Sequence, residues 1–163
     1  MWDTRVVDKM EEVVGRFLVS CKFKSVVDLF EWAFTKVYGP NSVRERRLLW
    51  KELFGLSSWW NVPWCVGGDF NVVRFPSERA GSTVYTAVMH EFFDFISKKV
   101  LINLPLEAGT FTWSNSREVK LKARLDRFLF SVDREDKFPT VCQHRMFRLL
   151  SNHFPIVLMG GSF

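Results

Sequence analysis

Asp69 and Asn71 stand two residues apart at the end of the apolar run Val62-Pro63-Trp64-Cys65-Val66-Gly67, with Gly68 between the run and the aspartate. Side chains two apart on a strand leave on the same face, so a carboxylate and an amide would emerge together where the two glycines keep the approach free of bulk. A carboxylate there can hold a cation or polarise a water, and the amide can grip a phosphate oxygen without adding repulsive charge. The pair suits phosphate chemistry. Gly, Asp and Asn are also the commonest turn residues, and an Asx turn closing a buried strand accounts for the same letters.

Two more polar islands lie in apolar surroundings. Arg124-Leu125-Asp126-Arg127 precedes Phe128-Leu129-Phe130, and Ser151-Asn152-His153 is wedged between Leu150 and Phe154-Pro155-Ile156. A charge embedded in an apolar strand needs a partner or a function, because burying it alone is costly. An Arg124–Asp126 ion pair and a structurally satisfied His153 answer that need locally. Read together, the islands offer a second answer: Asp126 and His153 form a candidate pair in which the carboxylate fixes the tautomer of the imidazole and raises its basicity beside a phosphate. His90, on a predicted helix surface, and His144, between Gln143 and Arg145, have no acidic partner in evident reach. There is no P-loop, no G-x-G-x-x-G and no Ser-His-Asp elbow.

The elements that must position these groups are legible in outline. Alternation predicts a strand over 13–23, with Val13, Phe17, Val19, Cys21 and Phe23 on one face, and a second over 31–38 paired antiparallel to it. Tyr38-Gly39-Pro40-Asn41 ends that strand. Ser42 and Glu45 fit a capping box for a helix carrying Leu48, Leu49, Leu53 and Phe54, which Gly55 is expected to stop. After Asp69, a loop with Pro76, Ser77, Glu78, Arg79 and Gly81 leads to an amphipathic helix marked by Val84, Ala87, Val88, Phe92, Phe95 and Ile96. Short strands are predicted over 101–106, 110–113, 125–130, 141–150 and 154–159, with a short helix over 133–137. This order suits a layered α/β or α+β sandwich.

A chain of 163 residues with 47% hydrophobic and 25% charged residues is expected to form one domain, residues 1–163, with one sizeable core. Cys21, Cys65 and Cys142 are odd in number and widely spaced, which excludes a C-x-x-C zinc site or a disulfide framework and predicts buried thiols in a reducing compartment. The net charge of +5 favours polyanionic partners or serves solubility. No apolar stretch reaches membrane-spanning length and the amino terminus lacks a signal pattern, so an intracellular protein, nuclear or cytoplasmic, is expected, neither secreted nor membrane-bound.

The islands also occur in a familiar order. Val37-Tyr38-Gly39-Pro40, Trp64 through Asn71, Arg74-Phe75-Pro76-Ser77-Glu78-Arg79, Gly109-Thr110-Phe111-Thr112-Trp113-Ser114, Arg124 through Leu129 and Ser151 through Ile156 together resemble the endonuclease/exonuclease/phosphatase superfamily of deoxyribonuclease I type. The wording is most similar to the endonuclease domain of plant non-LTR (LINE-type) retrotransposon polyproteins.

That resemblance implies a four-layer α/β/β/α sandwich and a phosphodiesterase that uses magnesium, or manganese, to nick DNA. It further implies that Tyr38 contacts the phosphate, that Asp69 positions or deprotonates the attacking water, and that Asn71 holds the phosphate. Asp126 would fix His153, which stabilises the transition state, and Thr112, Trp113 and Arg124 would lie beside the substrate. A reverse transcriptase domain in the same polyprotein is the implied partner. Two departures stand out against the family pattern. The amino-terminal section that carries its first strands and helix and the principal Glu metal ligand has no counterpart, so the domain is expected to be partial. The family's Ser-Asp-His reads Ser151-Asn152-His153, which replaces a carboxylate at the metal with an amide. Metal binding is therefore expected to be impaired and turnover weak or absent. A nucleic-acid-binding remnant without catalysis is the alternative, and a relative acting on small phosphoesters ranks behind both.

Overall fold

The computed structural model describes residues 2–133 and 139–160. Three strands in a meander, β1 (Val7–Val14), β2 (Leu18–Ser25) and β3 (Glu31–Tyr38), open the chain. Helix α1 (Val43–Trp60) then carries it back to β4 (Trp64–Asp69), which pairs parallel to β3. A single 3-10 turn at Pro76–Glu78 and helix α2 (Ala87–Lys98) come next. Short strands complete the order: β5 (Leu101–Asn103), β6 (Leu106–Glu107), β7 (Trp113–Ser114), β8 (Lys122–Ala123), β9 (Asp126–Ser131), β10 (Cys142–Arg145) and β11 (Ile156–Met159). Six of these strands form one sheet in the order β1-β2-β3-β4-β9-β5, three form a second, β11-β10-β6, and β7 pairs with β8.

Both helices press on the same face of the large sheet. Half of the capping box forms: Ser42 Oγ accepts from Glu45 N at 3.1 Å, while the Glu45 carboxylate takes the Ser42 hydroxyl at 3.2 Å and not its backbone N–H. Leu49, Trp50, Leu53 and Leu56 of α1 and Phe92, Phe95 and Ile96 of α2 then meet Leu18, Ala33, Val37, Trp64, Val66 and Leu129 from the strands. Trp50 is the keystone, stacked on Phe92 and Phe95 with ring centroids 5.3 and 5.2 Å apart. On the opposite face the second sheet docks through Gln143, fully buried, which exchanges hydrogen bonds with the backbone of Phe128 and donates to Leu104 O. Helices, large sheet and small sheet make a layered α+β architecture of deoxyribonuclease I type. No helix among the described residues is long and apolar enough to cross a membrane.

Several sequence expectations need correcting. The strand predicted over 13–23 is the end of β1, a hairpin turn closed by Gly15 N donating to Leu18 O, and β2. Helix α1 does not stop at Gly55. It runs on to a left-handed cap at Asn61, because Leu56 is buried and that burial offsets the conformational cost of one glycine. The strand expected over 141–150 ends at Arg145, and Phe147, Leu149 and Leu150 lie exposed. None of the three cysteines is in a disulfide, and only Cys65 is buried. The helix expected over 133–137 falls almost wholly outside the described residues.

Candidate active site

Strand β4 delivers Asp69 to the edge of the large sheet, and the residue after it pins the strand end. Phe70 is fully buried against Trp50 and Phe92, and its N–H donates to Leu125 O, so the tip of the strand is anchored from below. Asn71 turns into the left-handed region at φ 52° and donates its backbone N–H to Asp69 Oδ1 at 2.8 Å. The Asx turn is therefore real and also aims the carboxylate. Gly68, at φ +135°, is required where β4 passes β3, since a Cβ there would strike the carbonyl of Val37.

Strand β9 pairs antiparallel with β4 and sets Asp126 directly opposite Asp69. Thr112, fully buried, accepts the backbone N–H groups of Leu125 and Asp126 at 2.9 and 3.0 Å and so holds that strand end in place. Asp126 Oδ2 takes His153 Nδ1 at 2.9 Å. The other ring nitrogen, Nε2, lies 3.9 Å from Asp69 Oδ2, too far for a hydrogen bond but close enough for one ligand oxygen to touch both. His153 itself is held by a bridge between its backbone and Trp113 and by hydrogen bonds from Phe154 N to Thr112 O and from Ser114 N to Asn152 O.

The electrostatics of this corner are out of balance. Burial, and then the facing charge of Asp126, hold the Asp69 carboxyl above the usual carboxylate range, with the Asn71 N–H and His153 only partly opposing. Ligand atoms of Asp69, Asp126 and His153 lie within 4.8 Å of one another, the one such group of His, Cys, Asp or Glu among the described residues. One oxygen of each carboxylate is already engaged, Asp69 Oδ1 by Asn71 and Asp126 Oδ2 by His153. The remaining two suit a magnesium-type ion, which takes one or two carboxylates and completes its shell with water and phosphate oxygens.

Asp69 and His153, with Asp126 behind them, form one corner of a cleft of ≈ 630 Å³ lined also by Tyr38, Asn71, Trp113, Arg46, Arg79 and Lys122. Tyr38, 74% exposed, stands at its rim. Asn71 turns its side-chain amide toward Gly39 O, at 3.3 Å, and Asn41 Oδ1, leaving its own carbonyl oxygen for a ligand. Two residues expected beside a substrate are elsewhere. Arg124 is buried, donating to Leu104 O at 2.9 Å, with Glu78 rather than Asp126 as its acidic neighbour. Thr112 is closed off and acts on Asp126 through the backbone. Asn152 is exposed and contributes its carbonyl to Ser114. His144 does have an acidic neighbour, Glu107 at 3.8 Å, while His90 is exposed beside the Tyr85 ring. The cations Arg46, Arg79 and Lys122 are the lining residues that sequence reasoning missed; each sits in a polar stretch where nothing distinguishes it from an ordinary surface charge.

No protein-family model and no curated protein sequence matches the chain. Solved structures do. The endonuclease domain of TRAS1, a telomere-specific non-LTR retrotransposon, superposes with a TM-score of 0.74 at 13% identity, covering 96% of this chain and 69% of that one. D. rerio TDP2 complexed with a single-strand DNA product gives 0.62 at 12%, covering 98% and 70%. The Bacteroides thetaiotaomicron mannosyl-6-phosphatase Bt3783 gives 0.61 at 20%, covering 99% and 69%. Two other neighbours, from Bacteroides thetaiotaomicron and Bacteroides vulgatus, are described as endonuclease/exonuclease/phosphatase proteins, and the chain spans about two thirds of the length of these structures. At these identities the likeness establishes the fold.

Proposed function

We propose that this cleft is a divalent-metal phosphodiesterase site that nicks DNA, of the non-LTR retrotransposon endonuclease type, with slow turnover. The observation that carries the reading is the chain of contacts from Asp126 through His153 to Asp69 at one corner of an open cleft. Asp69 and Asp126 would hold the ion, magnesium or manganese, which supplies a positive charge for the phosphate oxygens when bound. The protein's own groups do the rest. Asp69, its carboxyl raised by burial and a like charge, takes a proton from the attacking water. Asp126 orients the imidazole so that Nε2 of His153 faces the phosphate, and the Asn71 carbonyl and the Tyr38 hydroxyl border the place where it lies. Stabilising charge in the transition state is the larger share of such catalysis.

Slow turnover is the consequence of the donor set. The two carboxylates are enough to hold a strongly hydrated ion, but Asn152 adds no further negative charge to draw it in. Two of the structural neighbours, a retrotransposon endonuclease and a complex with a DNA product, support nucleic acid as the partner. In a polyprotein of that type a reverse transcriptase would prepare its copy at the nick. The test is nicking of supercoiled plasmid in millimolar magnesium. Wild-type protein is expected to cut, and Asp69→Ala to cut roughly 100-fold less or worse. A second reading, binding without cleavage, is favoured by the neutral Asn152 and gains if retention of DNA survives while no nick forms.

A further inference from the structure

The cleft is larger than one phosphate needs. Its ≈ 630 Å³ would hold about twenty water molecules at roughly 30 Å³ each, several times the space of a phosphate group. The acidic corner occupies only part of it. The cleft lining also includes apolar Val88, Met89 and Leu121 and basic Arg46, Arg79 and Lys122.

The basic part is built from three separate segments. Arg79 follows the 3-10 turn and bridges to Ala123, while the next residue, Ala80, donates its N–H to Lys122 O at 2.9 Å. Arg79 and Lys122 are thus neighbours on paired backbone, and both are exposed. Arg46 comes from the first turns of α1; its Nη2 donates to Asn41 O at 2.9 Å, and its Nε is buried with no partner. Glu78 pairs with Arg127 at 2.7 Å and Glu91 with Arg47 at 2.8 Å, although the Glu91 charge also reaches Arg46. Among the described residues none of the three cations has its own ion pair.

We propose that Arg46, Arg79 and Lys122 form a second phosphate subsite, which grips a neighbouring phosphate of the same nucleic-acid strand while the reacting phosphate lies at Asp69 and His153. The proposal rests on the reading of that corner as a phosphate site and adds a requirement to it: the ligand must carry at least two phosphates separated by a sugar and base. A strand fits, with its apolar base face along Met89 and Leu121. A lone phosphomonoester or a sugar phosphate reaches only one end.

Binding tests it apart from catalysis. A fluorescein-labelled oligothymidylate of about twelve nucleotides is titrated with wild-type protein at several salt concentrations, using fluorescence anisotropy. The slope of log affinity against log salt should flatten by about 0.7 for each phosphate charge that is no longer neutralised, so by about 0.7 in Arg46→Gln/Arg79→Ala/Lys122→Ala, whose three cations share one phosphate. The double variant Arg79→Ala/Lys122→Ala, which leaves α1 untouched, should flatten it by up to the same amount, about 0.7. Lys36→Ala/Lys51→Ala/Lys98→Ala removes the same charge from residues exposed outside the cleft and should leave the slope nearly as it was. Equal slopes for the cleft and control triples would overturn the subsite. If the cleft variants flatten the slope but no protein nicks plasmid, the subsite stands and the catalytic reading is what fails.

Discussion

Two charge clusters hang from the start of strand β9, and they are wired in opposite ways. Asp126 lies opposite Asp69 and holds His153, whereas Arg127, the next residue, points through the sheet to the helical face, 5.2 Å over the Phe92 ring. There Glu78 receives both terminal nitrogens of Arg127, at 3.1 and 2.7 Å, and the Arg74 backbone N–H at 2.7 Å, with Arg124 at 4.0 Å. Burial opposes the Glu78 charge, but the arginines prevail and hold its carboxyl below the usual range. In the cleft, burial and a second carboxylate push Asp69 the other way. One strand therefore carries a closed, hydrogen-bonded knot in which arginines outnumber the one carboxylate on one side, and an open pair of carboxylates on the other. The knot locks the loop before α2 to β9, and the open pair is what a cation and a phosphate can complete.

Substitutions can break the contrast from either side. The largest effect is expected at Glu78→Ala, which leaves Arg127, fully buried, and Arg124 without their carboxylate; about 3–5 kcal/mol of stability should be lost in denaturant unfolding. Because the folded pKa of Glu78 is depressed, its contribution is complete above the unfolded carboxylate range and should fade as pH falls through the folded value. Thr112→Val should cost about 1–3 kcal/mol by stranding the N–H groups of Leu125 and Asp126, and should weaken any cleavage, because Asp126 loses its anchor.

Asp69→Asn should show the reverse sign. A raised folded pKa means that stability is fully present below the unfolded value and is lost as pH rises through the folded one. The variant should therefore be at least as stable as wild type at neutral pH, and the difference between them should vanish in acid when unfolding midpoints are compared across pH. The smallest change is expected from Asn152→Asp, where one added carboxylate should modestly raise the stabilisation given by magnesium, read as a shift in melting temperature.

How far the sequence foretold this depends on the range of the signal behind each feature. Strand β3, both helices and the Ser42 cap were legible because their signals are local and periodic. Strand β1 was not, since its residues are exposed at nearly every position and its register is broken by a bulge between Lys9 and Glu11. The contact of Asp126 with His153 could be guessed from two polar islands in apolar strands, a pattern that demands partners. The partner of Arg124 and Arg127 could not, because Glu78 lies 49 residues from Arg127 and reads in sequence as one more charge in a turn.

The central claim is that Asp69 and Asp126 form an unneutralised pair waiting for a cation, and the unfolding midpoint as a function of magnesium concentration tests it most directly. Wild-type protein should gain about 1.4 kcal/mol at ten times the dissociation constant, while Asp69→Asn, folded and no less stable without the ion, should gain little. Equal gains in the two proteins would contradict the account.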